Sequence, residues 1–208
     1  NFFVFRNLLE KVEKGFIFSV KAPAVFTHTL RFDLDDIEKF SKAIEFIARN
    51  GQLGSILFQF PWSFRFGERN LDYLKWIRDK FPEYSICFEF RNRYWLNSRT
   101  LECLKSLDVS FCNVDEPVLK GLLPPTDINT NETGYVRFHG RNSDNWWDHK
   151  YSYQRYDYQY SEDELLDWVP RIKRLVENTK KTYVYFNNHY QAKAVESARI
   201  LMNLLRKD

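Results

Sequence analysis

The sequence predicts an α/β protein of the TIM-type (β/α) barrel class, with parallel strands inside and helices outside. Three observations point there. Short apolar segments alternate with longer helical patterns along the chain, as expected of parallel strands joined by crossover helices. Each apolar segment breaks off into polar or charged residues at its C-terminal end. Only one side-chain phase is reliably apolar, whereas an open sheet covered by helices on both faces needs both phases apolar. In a barrel the outward phase packs on helices and the inward phase lines the mouth at the strand ends.

The predicted strands are Phe16–Pro23 (FIFSVKAP), Gly54–Pro61 (GSILFQFP), Ser85–Asn92 (SICFEFRN), Val109–Glu116 (VSFCNVDE), Tyr135–Gly140 (YVRFHG) and Thr182–Asn188 (TYVYFNN). Their polar phase collects Ser19, Lys21, Gln59, Glu89, Arg91, Asn113, Asp115, Arg137, His139 and Asn187. The apolar phase collects Phe18, Val20, Ile56, Phe58, Phe88, Phe90, Val136, Phe138, Val184 and Phe186. Buried ions are costly unless paired or put to use, so the polar phase predicts a binding site at the mouth.

Between the strands, apolar residues at helical spacing predict helices over Leu8–Lys14, Asp33–Arg49, Leu71–Lys80, Ser98–Leu107, Glu162–Asn178 and Val195–Arg206. Asp33 or Asp35 caps the second, and Ser161 with Glu164 forms a capping box on the fifth. The opening run Asn1–Arg6 (NFFVFR) reads as the end of a strand already under way. Eight βα units typically take about 250 residues. The 208 residues are therefore expected to be a single domain whose first βα unit lies upstream.

Composition fits one globular core: 44% of residues are hydrophobic and 28% charged. No apolar run approaches the roughly 18 residues of a membrane helix. The net charge of +3 neither requires nor excludes nucleic acid. The three cysteines, Cys87, Cys103 and Cys112, have no metal-site spacing and read as free thiols in a reducing, cytoplasmic compartment.

The runs FSVKAP with THTLRF, LGSILFQFP, FEFRNRYW, YVRFHGRN, RYDYQYSEDELLDW and YVYFNNHYQAKAVESARIL resemble the YecE-like family, catalogued as domain of unknown function 72. The likeness runs from about Asn1 to the C-terminus. It implies a TIM-type barrel and no established reaction. The chain lacks the glycine-, serine- and tryptophan-containing segment that opens members of that family.

Within the predicted mouth, Glu89 and Asp115 are the candidate general acid and base, with His139 as a third titrating group. Lys21, Arg91, Arg137 and Arg141 supply fixed positive charge suited to phosphate or carboxylate. Gln59, Asn113, Asn187 and Asn188 offer neutral donors and acceptors. His28 stands in the loop after the first of these strands, on the same side. The competing reading makes Glu89–Arg91 and Asp115–Arg137 interior salt bridges that only support the fold. A divalent metal held by His28, Glu89, Asp115 and His139 is chemically reasonable, although no HxH or HExxH spacing supports it.

The loop Arg141–Tyr160 (RNSDNWWDHKYSYQRYDYQY) is the richest in aromatics, with Trp146 and Trp147 beside basic residues. Such a mixture stacks bases or sugar rings while cations hold phosphates, or it packs over the mouth as a lid. Trp62 and Trp95 also follow strand ends. Two functional classes follow. One is an enzyme of hydrolase, phosphodiesterase or lyase type acting on an anionic, phosphate- or sugar-bearing substrate. The other is a non-catalytic protein that binds nucleic acid or a nucleotide.

Overall fold

Six strands form one parallel sheet in the order of the chain: β1 (Phe18–Lys21), β2 (Leu53–Gln59), β3 (Ile86–Glu89), β4 (Ser110–Asp115), β5 (Thr133–Phe138) and β6 (Lys181–Phe186). This is a computed structural model, and it describes residues 2–207. Each expected apolar segment overlaps one of these strands, although β2, β5 and β6 begin one or two residues before the expected starts at Gly54, Tyr135 and Thr182. Arg91, His139 and Asn187 lie just past the strand ends yet stay in phase, because the ladder continues through Phe60 N to Glu89 O (2.8 Å), His139 N to Asp115 O (2.8 Å) and Asn187 N to Phe138 O (2.7 Å).

The sheet is strongly curled. Ser19 of β1 reaches Tyr135 of β5, with the two hydroxyls 2.6 Å apart, and Arg137 of β5 donates to Gln59 of β2 at 3.2 Å. In a flat sheet β1 and β5 would be about 19 Å apart, at about 4.8 Å per strand. Only curvature brings their inner side chains together. Among the described residues β1 and β6 do not pair, so the sheet is a half-barrel with two edges rather than a demonstrated closed ring.

Helices cover the outer face. They are α1 (Phe2–Leu9), α2 (Leu34–Arg49), α3 (Glu68–Lys80), α4 (Ser98–Ser106), α5 (Glu162–Leu166), α6 (Val169–Glu177) and α7 (Lys193–Arg206). Phe40, Ala43, Ile44 and Ile47 make one buried stripe on α2, and Leu71, Leu74 and Ile77 one on α3. They pack with Ile56, Phe58 and Phe88 from the outer phase of the sheet. Val136 and Phe138 meet Leu165, Ile172, Leu175, Leu201 and Leu204 from the last three helices. Asp33 caps α2 in a reciprocal box with Asp36, and Ser161 caps α5 with Glu164.

Three predicted elements are corrected: the N-terminal strand, the helix Leu8–Lys14 and the single helix Glu162–Asn178. The N-terminal run is helical, not a strand: Phe5 and Leu9, one turn apart, are both partly buried, which is a helical face rather than an alternating one. That helix ends at Leu9, short of the stretch to Lys14 expected to be helical. The region Glu162–Asn178 is two helices. Pro170 has no N–H to give to the preceding turn and its ring collides with it, so the chain restarts there with proline in the first turn of α6. Trp95 is fully buried on the outer side, stacked on Phe90 (4.3 Å) and Phe64 (5.3 Å), and takes no part in the rim.

The curl also fixes Gly54. A Cβ there would sit 2.6 Å from Ile17 and 2.7 Å from the Tyr183 hydroxyl. Gly54→Ala should therefore cost about 1–3 kcal/mol in chemical denaturation, as overpacked sites do. An unchanged midpoint would contradict the close approach of β2 and β6.

Candidate functional site

The register decides which polar residues face inward. Parallel partners in register share a face, and β3 pairs Cys87 with Ser110 and Phe88 with Phe111. Glu89 and Arg91 point inward, so Cys112, Val114 and Glu116 do too, while Asn113 and Asp115 point outward. The β4–β5 pairing agrees, with Val114 opposite Arg137 and Asp115 opposite Phe138.

Asp115 is thus corrected from mouth acid to outer-face anchor. Its carboxylate is fully buried and accepts from Tyr160 Oη (2.6 Å), Trp168 Nε1 (2.6 Å) and Arg141 Nη2 (2.7 Å) and Nε (3.0 Å). Arg141 and Tyr160 are the two ends of the aromatic loop, so this one carboxylate pins both. Arg141 is therefore a clamp and not a mouth cation, and the expected Asp115–Arg137 pair does not form. Asn113 also faces out. Its Oδ1 accepts from Thr126 Oγ1 (2.7 Å) and Ile128 N (2.8 Å), which fixes the segment before β5. Asn188 is likewise structural, donating to Tyr158 O at 2.9 Å and Ser197 Oγ at 3.3 Å.

Inside, Arg91 is a hub. Its Nε lies 3.0 Å from Glu89 Oε1, its Nη1 donates to Glu116 Oε2 at 2.6 Å, and its Nη2 lies 3.0 Å from His139 Nε2. Arg137 Nη1 donates to the other oxygen of Glu89 at 2.5 Å. Glu89 Oε1 is also 3.0 Å from His139 Nε2. Both contacts to Glu89 Oε1 are off the hydrogen-bond axis, and this buried oxygen has no aligned donor. Asn187 Nδ2 lies 3.3 Å from His139 Nδ1. The expected Glu89–Arg91 pair is present, and Glu89, Arg91, Arg137, His139 and Asn187 do come together.

The environment separates these groups by protonation state. Burial would push the Glu89 carboxyl up, but Arg137, Arg91 and His139 hold it well below the usual carboxylate range. Burial, reinforced by the Arg91 charge, pushes His139 down to about 3, so the imidazole is neutral at pH 7. Glu116 goes the other way: burial pushes it up to about 7 against the pull of Arg91. Lys21 is lowered by partial burial and by the charge of Arg137. Lys21 makes no ion pair among the described residues. Three cations (Lys21, Arg91 and Arg137) thus face one firmly ionised carboxylate and one that titrates near neutrality.

In front of this cluster lies a mouth pocket of about 310 Å³, lined by His28, Gln59, Pro61, Trp62, Ser63, Arg91, Leu122, Trp146, Trp147, Arg155 and Tyr156. No carboxylate lines it. Trp146 is buried with Arg91 and Arg155 over its ring at 5.6 and 5.5 Å, and the buried Nε of Arg155 has no partner. The expected His28, Gln59, Arg91, Trp146 and Trp147 line the pocket; Glu89, Arg137 and His139 stand behind it. Lys21 lines a neighbouring cavity along β1. The four proposed metal ligands do not assemble, because Asp115 is on the opposite face. Among the described residues no other His, Cys, Asp or Glu cluster is placed to hold a metal ion. Cys87 and Cys112 are buried and free, and Cys103 is free and half-buried.

Sequence reasoning missed Glu116 and Arg155. The signal for Glu116 was Phe111, whose aromatic ring belongs with Phe88 on the outer phase and puts Glu116 inward. For Arg155 no spacing distinguished it from the other basic residues of its loop.

Comparison with known proteins gives one consistent result. The family model described as "Protein of unknown function DUF72" matches residues 3–208. The UPF0759 protein YunF of Bacillus subtilis is 31% identical over 166 residues, which is 75% of this chain and 59% of that protein. The chain therefore spans well under two thirds of the length of this curated relative. A crystal structure of a DUF72 family protein from Thermotoga maritima superposes with a TM-score of 0.91 at 37% identity, covering 99% of this chain and 80% of the other. One from Enterococcus faecalis gives 0.89 at 25% identity, covering 98% and 79%. No helix among the described residues is long and apolar enough to cross a membrane.

Two outcomes follow from this geometry. Asp115→Asn should lower stability by about 3 kcal/mol in urea denaturation, since it removes the charge that three donors share, and should speed proteolysis within residues 141–160. A neutral result would remove Asp115 as the loop anchor. The second concerns pH. Free histidine titrates near 6.5 and buried His139 near 3, so between those values the folded state binds fewer protons. His139 therefore contributes a loss of stability as pH drops from 6.5 toward 3. Glu116 opposes it between about 7 and 4.5, because its raised carboxyl binds its proton more tightly in the folded state. His139→Gln should remove the first contribution and leave stability rising on acidification through that window. An identical slope in the variant would contradict a neutral buried imidazole.

Proposed function

The chain belongs to the DUF72 family, and we propose that its mouth pocket is the substrate site of an acid–base enzyme acting on a small anionic molecule. The observation that carries this is the pocket lining: Arg91, Arg155 and His28 with no carboxylate among them, and Arg155 Nε buried without a partner. A guanidinium in that position is suited to phosphate or carboxylate oxygens. The excess of positive charge behind the pocket has the same sign and adds to the attraction. A volume of about 310 Å³ is at the small end of ligand pockets, which favours a small molecule over a polymer tracking along a groove.

The acid–base part rests on Glu116 in place of Asp115. Glu116 is joined to Arg91 Nη1, a residue of the wall, and to the N–H of Leu123, which follows the lining residue Leu122. A carboxyl poised near neutrality in such a place is typical of functional sites and unnecessary in a structural ion pair. Arg91 and Glu89 are the charges that face it. Losing its proton lowers the charge at the floor by one unit, so anion affinity falls as pH rises through about 7. We take the curled sheet, in the same reading, to be the greater part of a closed TIM-type barrel, which puts the pocket where barrel enzymes carry their sites.

Sulfate is a suitable probe because it does not titrate in this range. Calorimetry between pH 5.5 and 8.5 should show sulfate binding that weakens above pH 7. Glu116→Gln should remove that step, and Arg155→Ala should lower affinity about tenfold or more at every pH. Sulfate affinity unaffected by Arg155→Ala would overturn the pocket assignment.

A further inference from the structure

The two adjacent tryptophans of the aromatic loop are used differently. Trp146 is 2% exposed and carries a cation over its ring from each of Arg91 and Arg155, so it holds the anion-binding groups in place. Trp147 is 52% exposed at the rim and meets Trp62 edge to face, with ring centroids 5.8 Å apart at 73°. Trp62 is itself braced. Its Nε1 donates to Gly121 O at 3.2 Å, Asn92 Nδ2 donates to its carbonyl at 3.0 Å, and a Cβ at Gly121 would lie 3.1 Å from the indole nitrogen. A fixed tryptophan thus supports an open indole beside a cationic pocket. An exposed aromatic held in this way is a surface made for contact, not leftover core.

The rest of the lining narrows the partner. Recognition of several sugar hydroxyls needs acceptors, and the pocket has no carboxylate and few neutral polar groups (Gln59, Ser63 and Tyr156). A planar base needs only a π-face, which Trp147 offers, and stacking on it tolerates any base. We infer that the ligand is a nucleoside phosphate, its base on Trp147 and its phosphate at Arg155 and Arg91. This rests on the anion-pocket reading above and adds the organic half of the ligand.

The test compares adenosine 5′-monophosphate, ribose 5-phosphate and inorganic phosphate by calorimetry on the whole protein. The mononucleotide should bind about tenfold or more tightly than ribose 5-phosphate, the lower range of one base–aromatic stack. Trp147→Ala, an exposed position at which folding should be unaffected, should erase that preference and cost the mononucleotide about tenfold more affinity than inorganic phosphate, which Arg155 and Arg91 hold. Equal binding of the two organic phosphates, or a preference that survives Trp147→Ala, overturns the nucleotide assignment while phosphate binding sensitive to Arg155→Ala keeps the pocket. No phosphate binding at all overturns both. Tight oligonucleotide binding with steep salt dependence and no mononucleotide binding would also overturn it, in favour of a strand-binding surface.

Discussion

A guanidinium that is only 6% exposed, as Arg91 is, survives in a protein interior when its charge is met and its donors are used. Here Glu89, Glu116 and His139 each take one edge of it. That requirement organises the mouth. Glu89 must stay ionised, so Arg137 is drawn in as its second partner. His139 must stay neutral, because another cation against Arg91 would be repelled. Glu116 is the remaining degree of freedom: burial outweighs the pull of the Arg91 charge, and the carboxyl is left titrating near 7. The hub residues come from three neighbouring strands, β3, β4 and β5. The curl of the sheet turns their inner side chains toward one another and lets Arg137 reach Gln59 of β2.

The outer face supplies the second half of the arrangement. Asp115 stands one residue from Glu116 yet on the other side of β4, where it pins both ends of the aromatic loop through Arg141 and Tyr160. Two neighbouring acids thereby do different work. One tunes the charge behind the pocket; the other holds the loop whose Trp146, Trp147, Arg155 and Tyr156 make the pocket wall. Alternation of side chains along a strand is all that separates the two roles.

Much of this was legible in the sequence, and the failures have physical causes. Strand positions were visible because the apolar phase alternates cleanly in five of the segments and every one ends in polar residues. In β4 both phases turn polar at the end, so Asn113 and Asp115 looked like the lining residues. The bulky Phe111 outweighs them, because packing against helices sets the register. The capping box at Ser161 was readable as local chemistry. The break at Pro170 was hidden by apolar spacing that runs on across it. The N-terminal run was misread because aromatic and β-branched residues favour strands locally, while Phe5 and Leu9 pack as one face of a helix. Arg155 was not legible at all: its significance comes from meeting Arg91 across Trp146, a contact no local pattern encodes.

The most direct test of this account is the titration of the Glu116 side-chain carboxyl by carbon NMR, with and without sulfate. The account predicts an inflection near pH 7 in the free protein. It predicts a shift to higher pH with sulfate, because an anion that prefers protonated Glu116 must in turn raise its affinity for the proton. An inflection near the ordinary glutamate value, or one that sulfate does not move, would contradict a charge hub coupled to an anion pocket.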